Sequence, residues 1–511
     1  MDVDLVPQPR HLDVRAGTVT WRSPLRVTVD DEWRWVVEIF ADDLFRAIGW
    51  EVAFVQAGAV TDLLIRHVSD CDVEEYRLTI DEIATIDAST PSGCSYALSV
   101  LRQLGPPALF GRGSIPVDNI ELPRVFIEDG PRYAWRGVHL DVSRHFFDVA
   151  TVCRLIDQIA VHRLNHLHLH LNDDQGWRIE IPAWPLLTEV GARRRSSPIG
   201  HEDDLLDDNI AHGGFYTAED IATIREHASR RFVRVVPEID LPGHAQAAIA
   251  AYPSLGTTDE TLEVWTRWGI SQHVLNVSEE ALQFTDDVVR YVATLFPDSP
   301  VHVGGDECPT VEWSESAAAR AVMAEHAFVD VAQLQGLFTT RLTAMLHADG
   351  HEVIAWDEVM DAGVAEGLVI AAWRSSSKAV QAAQSGLDVI MAPMQFLYFD
   401  WLNSDVADEP VALAPVPYVT PWEKVYRFSV IPPGLESSLH HHVRGAQVQL
   451  WSEYIATRVH LDYMAFPRIA AFSEVVWGTS TTEELFRPRL TSHLHRLDVM
   501  GVRYRPLDNP L

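Results

Sequence analysis

From Tyr133 onward the chain repeats one pattern: a short apolar run, a polar loop and usually a stretch with helical spacing. The runs are WRGVHLDV (135–142), HLHLHL (166–171), FVRVVPEI (232–239), VHVGG (301–305), EVIAW (352–356), LVIAAW (368–373), LDVIMA (387–392) and AQVQLW (446–451). Strands that alternate with helices build parallel βα units, and eight of them over roughly 380 residues predict a closed (β/α)8 barrel. The first 130 residues differ: alternating segments at 26–29, 62–68 and 76–80 mix with helical spacing over 33–48 and 92–104. Pro106, Pro107, Pro116 and Pro123 punctuate the exit, which sets a boundary near Asp129. The predicted class is α/β, a (β/α)8 TIM barrel over 131–511 preceded by a small α+β domain over 1–130.

Composition narrows the function classes. With 47% hydrophobic and 22% charged residues, the 511-residue chain is neither disordered nor fibrous. Its 73 Asp and Glu against 40 Lys and Arg give a formal charge of −33, which repels nucleic acids and anionic membranes. Only Lys378 and Lys424 are lysines, an arginine bias read as compositional rather than as a functional patch. No apolar run reaches membrane-spanning length, and the opening MDVDLVPQPR carries acidic residues where a signal peptide has basic ones. A cytoplasmic protein is expected. Cys71, Cys94, Cys153 and Cys308 show no metal-type spacing and are expected as thiols. Nothing in the pattern specifies an oligomeric state.

In a TIM barrel, functional groups sit at the C-terminal strand ends and in the loops that follow. The polar residues of this chain fall there. The first run ends in Asp141 with Ser143, Arg144 and His145 behind it, and the second in Asn172, Asp173 and Asp174. Glu238, Asp240 and His244 follow the third run, and Asp306 and Glu307 the fourth. Trp356 and Trp373 close the fifth and sixth, Tyr398 and Asp400 follow the seventh, and Trp451 and Glu453 the eighth. Carboxylates that accept from hydroxyls, beside indoles that stack on apolar ring faces, suit a neutral sugar.

HVGGDECP (302–309) carries the most concentrated signal, two adjacent carboxylates behind two glycines at a strand end. Consecutive Cα atoms lie about 3.8 Å apart with diverging side chains, so Asp306 and Glu307 cannot flank a glycosidic bond as acid and nucleophile. They must act from one side, with Glu307 the candidate general acid. Some glycosidases dispense with an enzymic nucleophile by using a group on the substrate.

WRGVHLDVSRHFF (135–147), NHLHLHLNDDQGW (165–177), PEIDLPGH (237–244), HVGGDE (302–307) and LWSEY (450–454) together resemble glycoside hydrolase family 20, which contains the β-N-acetylhexosaminidases. The resemblance runs in order from residue 131 to 480, while 1–130 matches the family's accessory domain only in position and general character. It implies an exo-acting, retaining, cofactor-free enzyme that releases terminal β-linked GlcNAc or GalNAc from a small oligosaccharide or glycoconjugate. Glu307 would be the acid/base, with a pKa raised toward neutrality. Asp306 would orient the substrate 2-acetamido group for attack on the anomeric carbon, giving an oxazolinium intermediate. Asp173 and His244 would tune Glu307. Arg144 would bind the C3 and C4 hydroxyls, Asp400 and Glu453 would hold C4 and C6, and Tyr398 would donate to the acetamido oxygen. Trp356, Trp373 and Trp451 would wall the acetamido pocket.

Other readings stay open. His166, His168 and His170 share one strand face ahead of Asp173, a pattern that also fits a metal-dependent amidohydrolase removing the acetyl group, although such histidines are more often structural. A catalytically inactive sugar-binding barrel is a third reading. The His440–His442 run reads as a solvated or pocket-rim segment, and Cys308 as a packing residue whose thiol would be oxidation-sensitive if exposed. The segment 411–436, where a reducing-side subsite is expected, departs from the family pattern.

Overall fold

The computed structural model describes residues 3–507, apart from 114, 202–205, 259, 364–366, 413–418 and 480. The N-terminal part is a seven-stranded mixed sheet in the order β1-β7-β5-β6-β4-β2-β3. Its strands are β1 (His11–Trp21), β2 (Leu25–Thr28), β3 (Val52–Phe54), β4 (Leu63–His67), β5 (Tyr76–Ile80), β6 (Ala84–Ala88) and β7 (Ile120–Asp129). Helix α2 (Pro91–Leu104) packs on β5 and β6, and α1 (Arg34–Ile48) packs on α2. Thr90 starts α2 by accepting from the Gly93 amide ahead of Pro91, and α1 stops at Gly49, which takes φ 73°.

Both helices lie where the sequence pattern puts them, but β1, β3, β6 and β7 escape it. Edge strand β1 is almost wholly exposed and so shows no apolar alternation. Pro123 reads as a breaker yet lies inside β7, opposite the point where the register of β1 shifts between Val14 and Thr18. A proline is tolerated where the ladder is already interrupted.

The second part is a closed barrel of eight parallel strands. They are Trp135–Asp141, His166–His170, Arg234–Glu238, Val301–His302, Val353–Trp356, Leu368–Ala372, Asp388–Met391 and Val443–Leu450, seven of them inside their predicted runs and the eighth starting three residues before its run. The fourth is shorter than predicted, because the chain turns at Gly304 and Gly305 with φ 64° and 94°. Between the fifth and sixth strands the described residues hold only the 3-10 turn Asp357–Met360 in place of an α-helix. Register places Asp141 beside His170, His170 beside Glu238 and Glu238 beside His302, so the ends of the first four strands form one polar tier.

The two parts share a buried joint. Asp129 accepts from Tyr76 Oη at 2.7 Å, Arg163 at 2.7 Å and Trp477 Nε1 at 2.8 Å, while Arg136 pairs with Glu74 at 2.8 Å. No described helix is long and apolar enough to cross a membrane. All four cysteines are free.

Candidate active site

The site is built upward from the polar tier. Glu238 is completely buried, and it is the hub. Its carboxylate lies 2.6 Å from His170 Nδ1, 3.1 Å from His168 Nε2 and 3.0 Å from His302 Nδ1, and accepts from Trp356 Nε1 at 2.7 Å. The other nitrogen of His170 meets Asp173 at 2.9 Å. Held between two carboxylates, His170 is pushed up to about 10 despite its burial and stands as a cation. Asp173 in turn contacts His244 Nδ1 at 3.1 Å and Arg144 at 2.8 Å, and with these cationic partners its carboxyl lies well below the usual range despite its burial.

His244 reaches the mouth. Its Nε2 is 3.6 Å from Glu307 and 3.8 Å from Asp306, so one imidazole faces both consecutive carboxylates. His244 and Glu307 both have positive φ, 45° and 49°, a conformation that non-glycine residues hold only where surrounding contacts enforce it. The preceding loop allows this approach because a Cβ at Gly304 would collide with the Asp240 carboxylate. Glu307 leaves 34% of its side chain exposed against 11% for Asp306, so the outer carboxylate faces the opening and the inner one the pocket floor. Asp306 hydrogen-bonds Asp240, and burial together with this like-charged neighbour pushes Asp306 up. Asp240 is pushed up to about 7, by burial first.

Across the mouth the aromatic residues form a wall. Trp451 lies 6.1 Å from Trp356 and 6.4 Å from Tyr398, and Tyr398 stacks at 5.9 Å on Trp373. The Arg144 guanidinium sits 5.2 Å over the Trp451 ring and 3.7 Å from Glu453. Burial raises both Asp400 and Glu453, the latter to about 7, and neither Asp400 oxygen has a hydrogen-bond partner.

Ten of the eleven residues singled out from the sequence are linked through these contacts, and Asp400 joins them through the Glu453 carboxylate, whose charge helps to raise it. Several others were not assigned a role. From sequence Glu238 and Asp240 read only as strand-end acids, because their partners converge only when the barrel closes. Glu358, raised to about 8 by burial and by Asp306, accepts from Trp373 Nε1 at 2.8 Å. Trp401 joins the aromatic wall, its ring 6.5 Å from Tyr398. Tyr454, directly after Glu453, lies 6.4 Å from Trp268 and 6.0 Å from His201. The aromatic residues carry no local signal, since an isolated Trp or Tyr in a loop is as often a packing residue.

Four residue groups lie close enough together to hold a cation: His139, His170 and Glu238; His168, Glu238 and His302; Asp173, Asp174 and His244; Asp240, His244 and Asp306. The three histidines of the second strand do not act together. His166 stacks on Trp135 at 3.8 Å and bonds Asn165, away from Glu238, while the Gln447 amide donates to His168 Nδ1 at 3.0 Å. With both ring nitrogens of His170 on carboxylates, that residue offers no free lone pair. The His440–His442 run lies before the eighth strand, at the opposite end of the barrel from the mouth, where His442 bonds Asp388. Of the segment 411–436, residues 413–418 lie outside the described residues, and Trp422–Tyr426 packs on the helix Arg468–Trp477. Burial pushes the Cys308 thiol up, which suppresses the thiolate needed for oxidation.

The catalytic-domain model described as glycosyl hydrolase family 20 matches residues 133–480, and the model for that family's domain 2 matches residues 2–130. The chain belongs to glycosyl hydrolase family 20. Among family 20 relatives it is 31% identical to a β-N-acetylhexosaminidase of Cellulomonas fimi, over 98% of this chain and 96% of that protein. It is 35% identical to a β-hexosaminidase of Porphyromonas gingivalis over 84% of this chain, and it spans 54% of that longer protein. An exo β-N-acetylglucosaminidase of Vibrio harveyi, solved with N-acetylglucosamine, superposes with a TM-score of 0.88 at 30% identity, covering 99% of this chain and 79% of that one. A Streptomyces plicatus N-acetyl-β-hexosaminidase superposes with a TM-score of 0.85 at 29% identity, over 98% and 96% of the two chains.

Proposed function

We propose that this chain is an exo-acting, retaining β-N-acetylhexosaminidase that removes terminal β-linked GlcNAc or GalNAc, as from chitooligosaccharides, by substrate-assisted catalysis. One observation carries the reading: Asp306 and Glu307 stand side by side, both within 3.8 Å of His244 Nε2 and opposite an aromatic wall. Across the mouth stand Asp400 and Glu453, with Glu358 tied to Trp373 Nε1 in the aromatic wall. A pair on one side suits an acid and an orienting base rather than an acid and a nucleophile.

In this mechanism Glu307 protonates the glycosidic oxygen while the acetamido oxygen attacks the anomeric carbon. The C1–O bond breaks, and the leaving alcohol departs with the Glu307 proton. Asp306 accepts from the acetamido N–H and steadies the positive charge that grows on nitrogen. Tyr398 donates to the acetamido oxygen and so aims it. Trp356, Trp373 and Trp451 exclude water from the pocket. Glu307, now a carboxylate, then takes a proton from the water that opens the oxazolinium ring on the face the alcohol left, which gives net retention. Asp173 and His244 hold Glu307 through these proton transfers. Arg144, Asp400 and Glu453 bind the ring hydroxyls, including the C4 hydroxyl at which GlcNAc and GalNAc differ.

Glu307→Gln tests the reading. General acid catalysis is worth roughly 10²- to 10⁴-fold, so hydrolysis of chitobiose is expected to fall by that factor with binding retained. A variant cleaving chitobiose near the wild-type rate overturns the assignment.

A further inference from the structure

Away from the mouth, where the helices of the accessory sheet meet the barrel, the charge pattern reverses the sign of the whole chain. A cavity of about 300 Å³ opens there between α1, α2, the turn Pro107–Phe110 and the barrel helix Val149–Val161. Phe40, Phe110 and Val161 give it apolar lining. Five guanidinium groups, from Arg46, Arg102, Arg112, Arg230 and Arg231, face into it against only two carboxylates, Asp43 and Asp157.

The carboxylates are overcommitted. Asp43 serves Arg102 at 2.7 Å, Arg231 at 2.9 Å and Arg46 at 3.3 Å. Asp157 serves Arg231 at 2.9 Å, His227 at 3.0 Å and Arg112 at 3.5 Å. Arg230 turns to Asp42 at 3.3 Å, outside the cavity. Even with Asp42 counted, two positive charges stay uncompensated. Arg102 Nε is buried with no hydrogen-bond partner. Arg102 and Arg112 are both lowered from the usual arginine value, by burial first and then by neighbouring guanidiniums, as expected for crowded positive charge. In a chain of formal charge −33 such a surplus beside a cavity is not a compositional accident.

We propose that this cleft is a binding site for a small phosphate-class oxyanion, either phosphate itself or a phosphate monoester whose organic part lies on Phe40 and Phe110. A dianion matches the surplus of two charges, and planar guanidinium forks suit its oxygens. Arg102 and Arg112 come from the accessory domain and Arg231 from the barrel, so the bound anion ties the two parts together. The arginine bias of the chain then has a functional portion after all.

The test is thermal denaturation of the full chain at pH 7.5 with inorganic phosphate, with phenyl phosphate, and with sodium chloride at matched ionic strength. A ligand that binds only the folded state raises Tm in a saturable way, here by about 1–3 °C beyond chloride. Arg112→Glu is the informative variant, because that side chain is 52% exposed and holds only the 3.5 Å ion pair, so the fold survives. Its hydrolytic activity without phosphate is expected to be unchanged, and its apparent phosphate affinity at least fivefold weaker. A lower half-effect concentration for phenyl phosphate identifies a monoester site, and equal concentrations identify a site for free phosphate. Stabilisation no greater than that from chloride, or equal in wild type and Arg112→Glu, overturns the proposal.

Discussion

Two adjoining regions of the barrel treat buried charge in opposite ways. Below the mouth, Glu238, His170 and Asp173 alternate in sign, joined at 2.6 and 2.9 Å. At the mouth, both oxygens of Asp400, Oε2 of Glu453, Oδ1 of Asp306 and Nε2 of His244 have no hydrogen-bond partner. Burying an unpaired polar atom is unfavourable by about 1–3 kcal/mol, so a fold that tolerates several in one pocket leaves them for something else to fill. Hydroxyls and an acetamide would do so. The lower region is scaffold: each carboxylate there faces a cation, and the atoms left without a partner are mostly ring nitrogens, both of His139, kept neutral by burial beside Trp451 at 4.3 Å, and Nε2 of His302.

From this contrast, substitutions below the mouth should damage folding and those at the mouth should damage turnover alone. His170→Asn carries the largest expected effect. Breaking a buried ion pair from one side is destabilising by about 3–5 kcal/mol, visible as a lowered denaturant midpoint. The pH dependence sharpens it. A histidine raised from 6.5 to about 10 stabilises fully below pH 6.5, and that stability drains away as pH rises toward 10. The wild-type advantage over His170→Asn should therefore shrink across that window. Glu453, raised from 4.5 to about 7, works in a lower window: the fold favours its neutral form, so stability falls between those values and then levels.

Next comes Asp306→Asn. Losing one electrostatic contact to a developing charge is worth about 2.7–4 kcal/mol, so kcat should drop about 10²- to 10³-fold while the denaturant midpoint holds. Equal losses of stability for Asp306→Asn and His170→Asn would erase the contrast.

Asp400→Asn is the smallest of the three. Forfeiting a charge-assisted hydrogen bond to one hydroxyl is worth about 1.5–3 kcal/mol in kcat/KM. Its midpoint should stay level or rise, because an unpartnered acid beside Glu453 has been neutralised. A fall in the midpoint would mean that Asp400 is a structural residue.

The same division governs what the sequence made legible. Mouth residues lie on local motifs such as HVGGDE and LWSEY, where acidic residues crowd a strand end beside glycines or an aromatic ring, and the strand ends follow from period and length. The scaffold beneath is not local. Glu238 draws partners from the second, fourth and fifth strands, so neither PEID nor HLHLHL discloses the other. Those histidines invite a metal reading for that reason, since shared strand facing is visible and the carboxylates that occupy their nitrogens are not. The approach of Asp306 to Asp240 depends on a loop turn at Gly304, where a Cβ would collide with the Asp240 carboxylate. In the accessory sheet, exposed β1 was hidden for the opposite reason: its stability comes from pairing with β7, not from a buried face.

The central claim is that the substrate supplies the nucleophile while Asp306 and Glu307 act from one side. The most direct measurement compares kcat/KM for the 4-nitrophenyl β-glycosides of N-acetylglucosamine and glucose, which share a leaving group and differ at C2. Substrate assistance predicts that the acetamido sugar is faster by orders of magnitude and that its thiazoline analogue inhibits competitively. Comparable rates on the two sugars, or a covalent glycosyl-enzyme trapped with a 2-fluoro sugar, would contradict it.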